Sequence, residues 1–293
     1  PPRAAAFHRT HLGCTARVIS SPPIVGILGE GDGWHSGCAA ACVGMLLATG
    51  ISLSGQKYLR AGELAARAVA AAPRVKLTGR DWRAVIALIL LIPVLAIAIV
   101  PNNQIFNAYL VWGDQRFDLV FFGTKLPTTW LITFDAIVSV SFLALVLIFY
   151  RWYGKRWREL DEVTKLIIGS AFSIGGMLCL VMAAATQSAG HKIGLFWPVC
   201  FHILNSIGFA HLLPISLALF AKYAPKAVNA TIIGLYYLVF FFGNILVGWI
   251  GGFYQTMPTT TFWLMHAGFA AGSGLCFVIF KFVAGHHLEG EAG

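Results

Sequence analysis

The sequence contains seven apolar runs that are each long enough to cross a lipid bilayer. A spanning helix needs about 20 mostly apolar residues to cross a hydrocarbon core about 30 Å thick. Only 11% of the residues are charged, less than half of the roughly 25% that is typical of soluble domains. The sequence therefore predicts an all-α integral membrane protein. The runs cover residues 35–53, 84–112, 128–150, 164–187, 194–221, 229–255 and 260–282.

The segments outside these runs complete the predicted organisation. We expect residues 1–17 to be disordered, because their Pro, Ala, Arg and His mixture suits no folded element. Residues 18–28 are too short to span and are interpreted as the tail of a helix whose start is missing, preceding the first span within 18–53. Residues 54–83 are predicted to be a linker with a short surface helix near 62–72, and a solvated linker is an equal alternative. Residues 84–282 form the main bundle and 283–293 a tail.

Lys and Arg residues fall mainly on one side of the predicted spans. The linker 54–83 carries seven, the connection 151–165 carries five, two follow residue 221, and Lys281 ends the last run. The alternate connections carry only Arg116, Lys125 and Lys192. Because positive charges are retained in the cytoplasm, the first span starts outside and the C-terminus is cytoplasmic, in the cell inner (plasma) membrane. The net charge of +9 then reflects topology, and no nucleic-acid partner is expected.

Motifs of catalytic, cofactor and metal sites are not found. There is no phosphate-binding glycine loop, no metal-ligand spacing and no nucleophile turn. Five of the six cysteines lie within apolar runs and are interpreted as small hydrophobic residues. We expect a protein that is not an enzyme and that needs no cofactor or metal.

Polar residues inside the spans are the candidate functional residues. Asp135 is the only acid within a run, and a charge there costs about 2.5–3.5 kcal/mol, so it must face a partner or a water-filled cavity. A locally satisfied carboxyl near the membrane surface is the alternative. Asn205 and Asn244 are candidates to line a cavity. His211 is a candidate proton carrier, or alternatively a neutral hydrogen-bonded residue.

The second run contains a predicted helix break. Pro101 is followed by Asn102, Asn103 and Gln104, and amides beside a proline at membrane depth are typical of the broken helices that hold substrates in transporters. Alternatively the helix ends near Val100, and residues 105–112 lie at the membrane surface. Pairs of small residues four apart also predict close helix contacts: Gly169 with Ser173, Gly248 with Gly252, and Gly268 with Gly272.

An ordered set of motifs resembles the proton-dependent oligopeptide transporters of the major facilitator superfamily. The resemblance runs from about residue 18 to residue 282. The motifs that resemble the sixth helix region are Gly29–His35, Gly37–Ala41, Gly44–Met45 and Gly55–Leu59. Those that resemble the eighth to eleventh helices are Pro127–Trp130, Val163–Lys165, Pro214–Leu219, Ala224–Pro225 and Gly243–Gly248.

This resemblance implies a function and an incomplete architecture. The seven runs would be helices six to twelve of a twelve-helix bundle that moves di-/tripeptides or peptide-like solutes by alternating access, driven by a proton gradient. The implied partners are the lipid bilayer, a small peptide or peptide-like substrate, protons, and an N-terminal transporter half that is not in this chain. The implied substrate-binding residues are Asn102, Asn103, Asp135, Asn205, Phe209 and Asn244, with Asp135 and His211 in proton coupling.

The chain departs from the family pattern at three places. A Glu-Gln pair is expected about where Asn102 and Asn103 stand, a glutamate near Phe209, and an asparagine about where Asp135 stands. The resemblance thus implies altered peptide recognition. The alternatives are a non-transporting membrane scaffold, favoured by the lost charges, and a seven-helix receptor-like protein. A retinal pigment would need a lysine deep in the last helix, whereas Lys281 lies at its end.

Overall fold

The computed structural model describes residues 21–55, 77–187 and 191–289, with side chains as far as residue 283. Seven helical spans in these ranges are long and apolar enough to cross a membrane, and each overlaps one predicted run, which confirms the all-α membrane fold. The spans are Trp34–Gly55, Gly79–Arg116, Trp130–Arg156, Glu162–Ala185, Phe196–Tyr223, Asn229–Gln255 and Thr259–Val283. The predicted disordered stretch 1–17 and surface helix 62–72 lie outside the described residues.

The chain divides into two compact units, of which the first covers Pro1–Lys76. Its described part has helix α1 over residues 21–31 and helix α2 over Trp34–Gly55. Gly33 joins them with a φ of 95°, which an L side chain rarely adopts. A Cβ atom on Gly37 would lie 2.9 Å from the carbonyl oxygen of Val25, so the two helices meet through a glycine.

The second unit, Leu77–Gly293, contains eight further α-helices, two 3₁₀ turns and one short hairpin in its described part. The α-helices are α3 (Gly79–Asn103), α4 (Ala108–Arg116), α5 (Trp130–Arg156), α6 (Glu162–Ala185), α7 (Phe196–Tyr223), α8 (Asn229–Tyr236), α9 (Leu238–Gly251) and α10 (Thr259–Glu289). The 3₁₀ turns are Gln104–Phe106 and Gly252–Gln255, and the hairpin pairs β1 (Val120–Phe121) with β2 (Thr124–Lys125).

The long helices pack in an order that differs from their order in the chain. Helix α3 contacts α9 and α10, α10 also contacts α6, α6 contacts α7, and α7 contacts α5. Two helix starts are fixed by side-chain caps. Thr78 and Asp81 form a reciprocal capping box at α3, and the Asp161 carboxylate accepts a hydrogen bond from the Thr164 backbone N–H at α6. In both helices the cap thus provides an acceptor for a backbone N–H group of the first turn, which has no partner within the helix.

Small residues bring α6 and α7 into close contact. This confirms the predicted role of the pair Gly169 and Ser173. A Cβ atom on Gly208 would lie 2.9 Å from the Gly169 carbonyl oxygen and 3.0 Å from the Ser173 backbone nitrogen. The other two predicted pairs are wrong. Added Cβ atoms there would meet open space, so these glycines do not serve a helix contact in the described part of the chain: Gly248, Gly252, Gly268 and Gly272.

Two apolar clusters fill the bundle, one towards each end. The first gathers around the buried rings of Tyr109, Trp112 and Trp263, and the second around Phe220 and Phe277. Along α3 the second cluster ends at Ile99 and the first continues from Val100 and Ile105. Polar side chains of α3 and α7 therefore lie where the two clusters meet.

The loops at the end beside the hairpin are joined by backbone hydrogen bonds. The N–H of Ile193 donates to the Arg116 carbonyl at 2.7 Å, and the N–H of Asp118 donates to the Ile193 carbonyl at 2.9 Å. These bonds connect the end of α4 to the segment that leads into α7. The hairpin itself turns through Phe122 and Gly123, both with positive φ.

We predict that Gly208→Ala destabilises the bundle. The added methyl group would push α6 and α7 apart, and overpacking of this kind typically costs about 1–3 kcal/mol. Thermal unfolding of the full-length protein in detergent should show a lower midpoint for Gly208→Ala. The control is Gly268→Ala, whose methyl group meets open space. Equal midpoints for the two variants would contradict the α6–α7 contact.

Candidate functional site

The second span is interrupted at the predicted position. Pro101 lacks the N–H that would bond to the Ile97 carbonyl, and α3 ends two residues later at Asn103. The 3₁₀ turn Gln104–Phe106 follows, and Asn107 has φ −132° and ψ −110° before α4 begins. Three residues of α4 are buried, so the stretch after the break packs against the rest of this unit: Ala108, Tyr109 and Trp112.

Four of the predicted asparagines form one hydrogen-bonded chain, which we call the amide layer. Asn205 donates through Nδ2 to Asn102 Oδ1 at 2.7 Å, Asn102 lies 3.4 Å from Asn103 Oδ1, and Asn103 donates to Asn244 Oδ1 at 3.2 Å. The layer joins α7, α3 and α9. Asn205 is buried and Asn244 is exposed, so the layer runs from the interior of this unit to its surface.

Phe209 has a different setting from the asparagines. It lies one turn after Asn205 on α7, on the same side of the helix, and it is half-buried. An aromatic residue therefore lies one helical turn from the buried end of the amide layer. Phe209 has no charge with which to bind a charged group of a ligand.

Asp135 is part of a second buried polar group, which we call the buried triad. The Asp135 Oδ1 atom lies 2.8 Å from His202 Nδ1, and His202 Nε2 lies 2.8 Å from the Tyr109 hydroxyl oxygen. The relative exposures of Asp135, His202 and Tyr109 are 7%, 1% and 0%. The triad connects α5, α7 and α4. Among the acids whose side chains the structure describes, Asp135 is the one that is buried.

Aromatic rings surround the imidazole of the triad. The ring centroid of His202 lies 5.3 Å from that of Phe134 and 5.0 Å from that of Phe201. In such surroundings a charge is poorly solvated, and the direct bond to His202 provides the partner that an isolated carboxylate at membrane depth would lack. Next to the triad, the hydroxyls of Ser139 and Ser206 form a further α5–α7 hydrogen bond of 3.0 Å.

His211 lies on the same helix as His202 but has separate partners. Its Nδ1 atom is 2.8 Å from the Ile207 carbonyl, which can only accept, so Nδ1 donates. In the neutral ring Nε2 then accepts from the Tyr150 hydroxyl, 3.0 Å away. The structure thus brings Asp135 together with His202, whereas His211 bonds to Ile207 and Tyr150.

Sequence reasoning did not single out Tyr109. The feature that could have identified it is its position in the apolar stretch directly after the helix break, because a buried tyrosine hydroxyl needs a hydrogen-bond partner. Gln104 was noted as part of the break, and its side chain is fully buried with neither amide atom hydrogen-bonded within the described part of the chain. In the ranges 21–55, 77–187 and 191–283, no group of three His, Cys, Asp or Glu residues is arranged to hold a metal ion.

These features are those of a multi-pass membrane protein with a broken helix and with hydrogen-bonded polar side chains inside the helix bundle. Secondary transporters belong to this class.

No protein-family model matches the chain. It is 26% identical over 151 residues to the peptide transporter YePEPT of Yersinia enterocolitica, which covers 50% of this chain and 29% of the relative. It is 26% identical over 100 residues to dipeptide and tripeptide permease A of Chromobacterium violaceum, covering 34% and 20%.

Solved structures show the same fold. A crystal structure of a peptide transporter POT mutant in complex with alafosfalin has a TM-score of 0.82 at 19% identity, covering 98% of this chain and 69% of that chain. A POT family transporter in complex with 5-aminolevulinic acid has a TM-score of 0.58 at 16% identity, covering 83% and 53%. The chain is thus similar in sequence and fold to part of a POT family transporter, as its motifs predicted. The matched region spans less than a third of each curated relative.

The comparisons decide between the alternatives left open by the sequence. The relatives are named as transporters and permeases, which are not enzymes, so the transport interpretation is favoured over the scaffold and the receptor-like protein. The seven spans and the relatives together confirm a multi-pass membrane protein.

We predict that the buried triad is energetically coupled. Asp135→Leu or His202→Leu alone leaves a polar partner buried without its bond and should cost about 3–5 kcal/mol. The triple variant Asp135→Leu/His202→Leu/Tyr109→Phe removes the polar atoms together and should lose less stability than either single variant. Thermal unfolding of the full-length protein in detergent measures these differences. Additive losses would show that the three side chains do not act as a unit.

Proposed function

We propose that this chain is the C-terminal part of a proton-coupled secondary transporter for di-/tripeptides or peptide-like solutes. The proposal is supported by the fold shared with POT family transporters and by relatives named for peptide transport. Alternating access places the substrate between two halves of the bundle. The second unit described above provides one of them, and an N-terminal half is the partner required to close the site.

The amide layer is the observation that carries this proposal. Each asparagine side chain offers both a donor and an acceptor, which is also what a peptide group offers. The bond between Asn103 and Asn244 lies at the exposed end of the layer, where a substrate can replace an amide–amide bond with bonds of its own. We therefore propose that Asn102, Asn103, Asn205 and Asn244 hydrogen-bond the peptide groups of the substrate.

Phe209 and Asp135 complete the proposed substrate site. Phe209 stands one turn from Asn205 and provides an aromatic surface where an ammonium group would need an anion. Asp135 is close to fully buried within its pair with His202, so its proposed role is proton coupling in addition to lining the site. His211 remains a second proposed proton carrier.

The distribution of ion pairs supports a cytoplasmic position for the C-terminus. Lys281 contacts Asp161 at 3.0 Å, Lys222 contacts Glu162 at 3.0 Å, and Lys165 lies near them at the start of α6. Partial burial opposes ionisation of Asp161, but hydrogen bonds from Thr164 and Lys281 hold the pKa of this carboxyl below its usual value. We propose that this basic end faces the cytoplasm and that the membrane is the cell inner (plasma) membrane.

Replacement of Asn102 tests the amide layer. Asn102→Ala removes the acceptor of Asn205 and a proposed substrate contact, so we expect the apparent affinity for a dipeptide to fall at least about tenfold, equivalent to about 1.4 kcal/mol. The assay is uptake of labelled di- and tripeptides into proteoliposomes containing the full-length protein, under an inward proton gradient. Asn229→Ala is the matched control, because the Asn229 amide donates only to the Ala221 carbonyl. An unchanged affinity in Asn102→Ala would remove the amide layer from the site, and uptake of no peptide by the wild type would contradict the proposed function.

Competition between blocked and free peptides tests the altered recognition. With Asn102 and Phe209 where the family pattern has acids, a free amino terminus finds no paired anion at these positions. We expect N-acetylated dipeptides to compete with uptake at least as strongly as the corresponding free dipeptides. Phe209→Glu should restore a preference for the free amino terminus. A strong preference for free dipeptides in the wild type would show that another residue supplies the anion.

A further inference from the structure

The buried triad carries an inference about where a proton binds and what it changes. Asp135, His202 and Tyr109 are hydrogen-bonded in sequence and come from three different helices, α5, α7 and α4. These three are the titratable side chains that hydrogen-bond to one another at this point. The thiols of Cys179 on α6 and Cys200 on α7 belong to the same apolar cluster as Tyr109, and His266 on α10 lies against Trp263, whose ring contacts Tyr109. The neighbouring rings of Phe134 and Phe201 cannot titrate, and α6 presents Gly169, Ser173 and Gly176 to α7.

The hydrogen-bond roles of the three groups are fixed when no extra proton is present. An ionised Asp135 carboxylate can only accept, so His202 Nδ1 carries the proton and donates. The neutral imidazole then has an unprotonated Nε2 atom, which accepts from the Tyr109 hydroxyl. The Tyr109 O–H is satisfied in this state because its proton points at His202.

Addition of one proton reverses the role of Tyr109. If the proton makes His202 an imidazolium, Nε2 becomes a donor and the Tyr109 oxygen accepts. If the proton instead goes to Asp135, the carboxylic acid donates to Nδ1, the ring takes its other tautomer, and Nε2 again donates to Tyr109. The outcome for Tyr109 is the same in both cases, so the reversal does not depend on how the two groups share the proton.

The surroundings of Tyr109 give this reversal a structural consequence. The Tyr109 side chain is fully buried, and its ring lies against Phe117, Phe201 and Trp263. Within the described residues its hydroxyl has one hydrogen-bond partner, His202 Nε2, so a hydroxyl proton directed away from His202 has no acceptor there. A buried donor without an acceptor is unfavourable. Tyr109 belongs to α4, which the break at Gln104–Asn107 separates from α3. Proton binding therefore destabilises the position of α4 that the structure shows.

We propose that Asp135 and His202 form a one-proton binding site and that Tyr109 transmits its occupancy to α4. The use of this proton to drive substrate movement rests on the proposed transport function, whereas proton binding by the pair does not. The proposal adds His202 to the proton-coupling residues that the sequence suggested, Asp135 and His211. Asp135 has the largest relative exposure of the three, 7%, and is the proposed point of proton entry.

The first experiment measures proton binding without any substrate. Full-length protein labelled with ¹⁵N-histidine is titrated by NMR in detergent micelles, and His202→Gln identifies the resonance of His202. We expect His202 Nε2 to change from an unprotonated to a protonated nitrogen in one step, and Asp135→Asn to shift the midpoint of this step by at least one pH unit. His191→Gln, which removes an exposed loop histidine, is the control and should leave the step unchanged. A His202 nitrogen that titrates identically in wild type and Asp135→Asn would overturn the proposal.

The second experiment separates proton coupling from substrate movement. Proteoliposomes containing the full-length protein are tested for proton-driven uptake of a dipeptide and for its counterflow exchange, which needs no net proton transfer. We expect His202→Gln to lose at least tenfold in driven uptake while exchange continues, and Tyr109→Phe to alter the pH dependence of exchange. If His202→Gln keeps full driven uptake, the proton site is wrong although transport stands. If the wild type shows neither activity, the proposed function fails, and the NMR titration still decides the proton site.

Discussion

A carboxylate inside a membrane bundle determines how the surrounding helices are arranged. Asp135 cannot be solvated by lipid, so a partner must reach it from another helix, and His202 does so at 2.8 Å. His202 in turn needs a partner for its other nitrogen, which Tyr109 supplies from α4. One buried acid thus specifies the relative positions of three helices. Apolar contacts alone specify them less well in a membrane, because the free energy of an apolar contact with a neighbouring helix is close to that of a contact with lipid.

The close contact of α6 and α7 allows this arrangement. Gly176 on α6 lies against the backbone of Asn205, and Gly169 lies against His211. Larger residues there would displace α7, which carries both His202 and Asn205. The amide layer and the buried triad therefore share one supporting contact, although they have no hydrogen bond to each other among the described residues.

The sequence predicted the spans, the helix break and the buried acid because each depends on local composition. A run of 20 apolar residues, a proline beside amides and a lone aspartate can be recognised without knowing their neighbours. The partners of these groups depend on which helix faces which, and the packing order of α9, α3, α10, α6, α7 and α5 is not written in any local pattern. For this reason Tyr109 was missed as the partner of His202, and two of the three glycine pairs were assigned to contacts that they do not make within the described residues.

The loop bonds at Ile193 have a mechanical consequence. Helix α4 is attached to α7 at two separated places, through Tyr109 and His202 in the interior and through Arg116, Asp118 and Ile193 at the end of the bundle. Two attachments prevent rotation of one segment against the other, whereas the backbone between α3 and α4 is irregular at Asn107. Helix α4 and the start of α7 then form one rigid segment. Its hinge is at Asn107 rather than at Pro93 or Pro101 of α3.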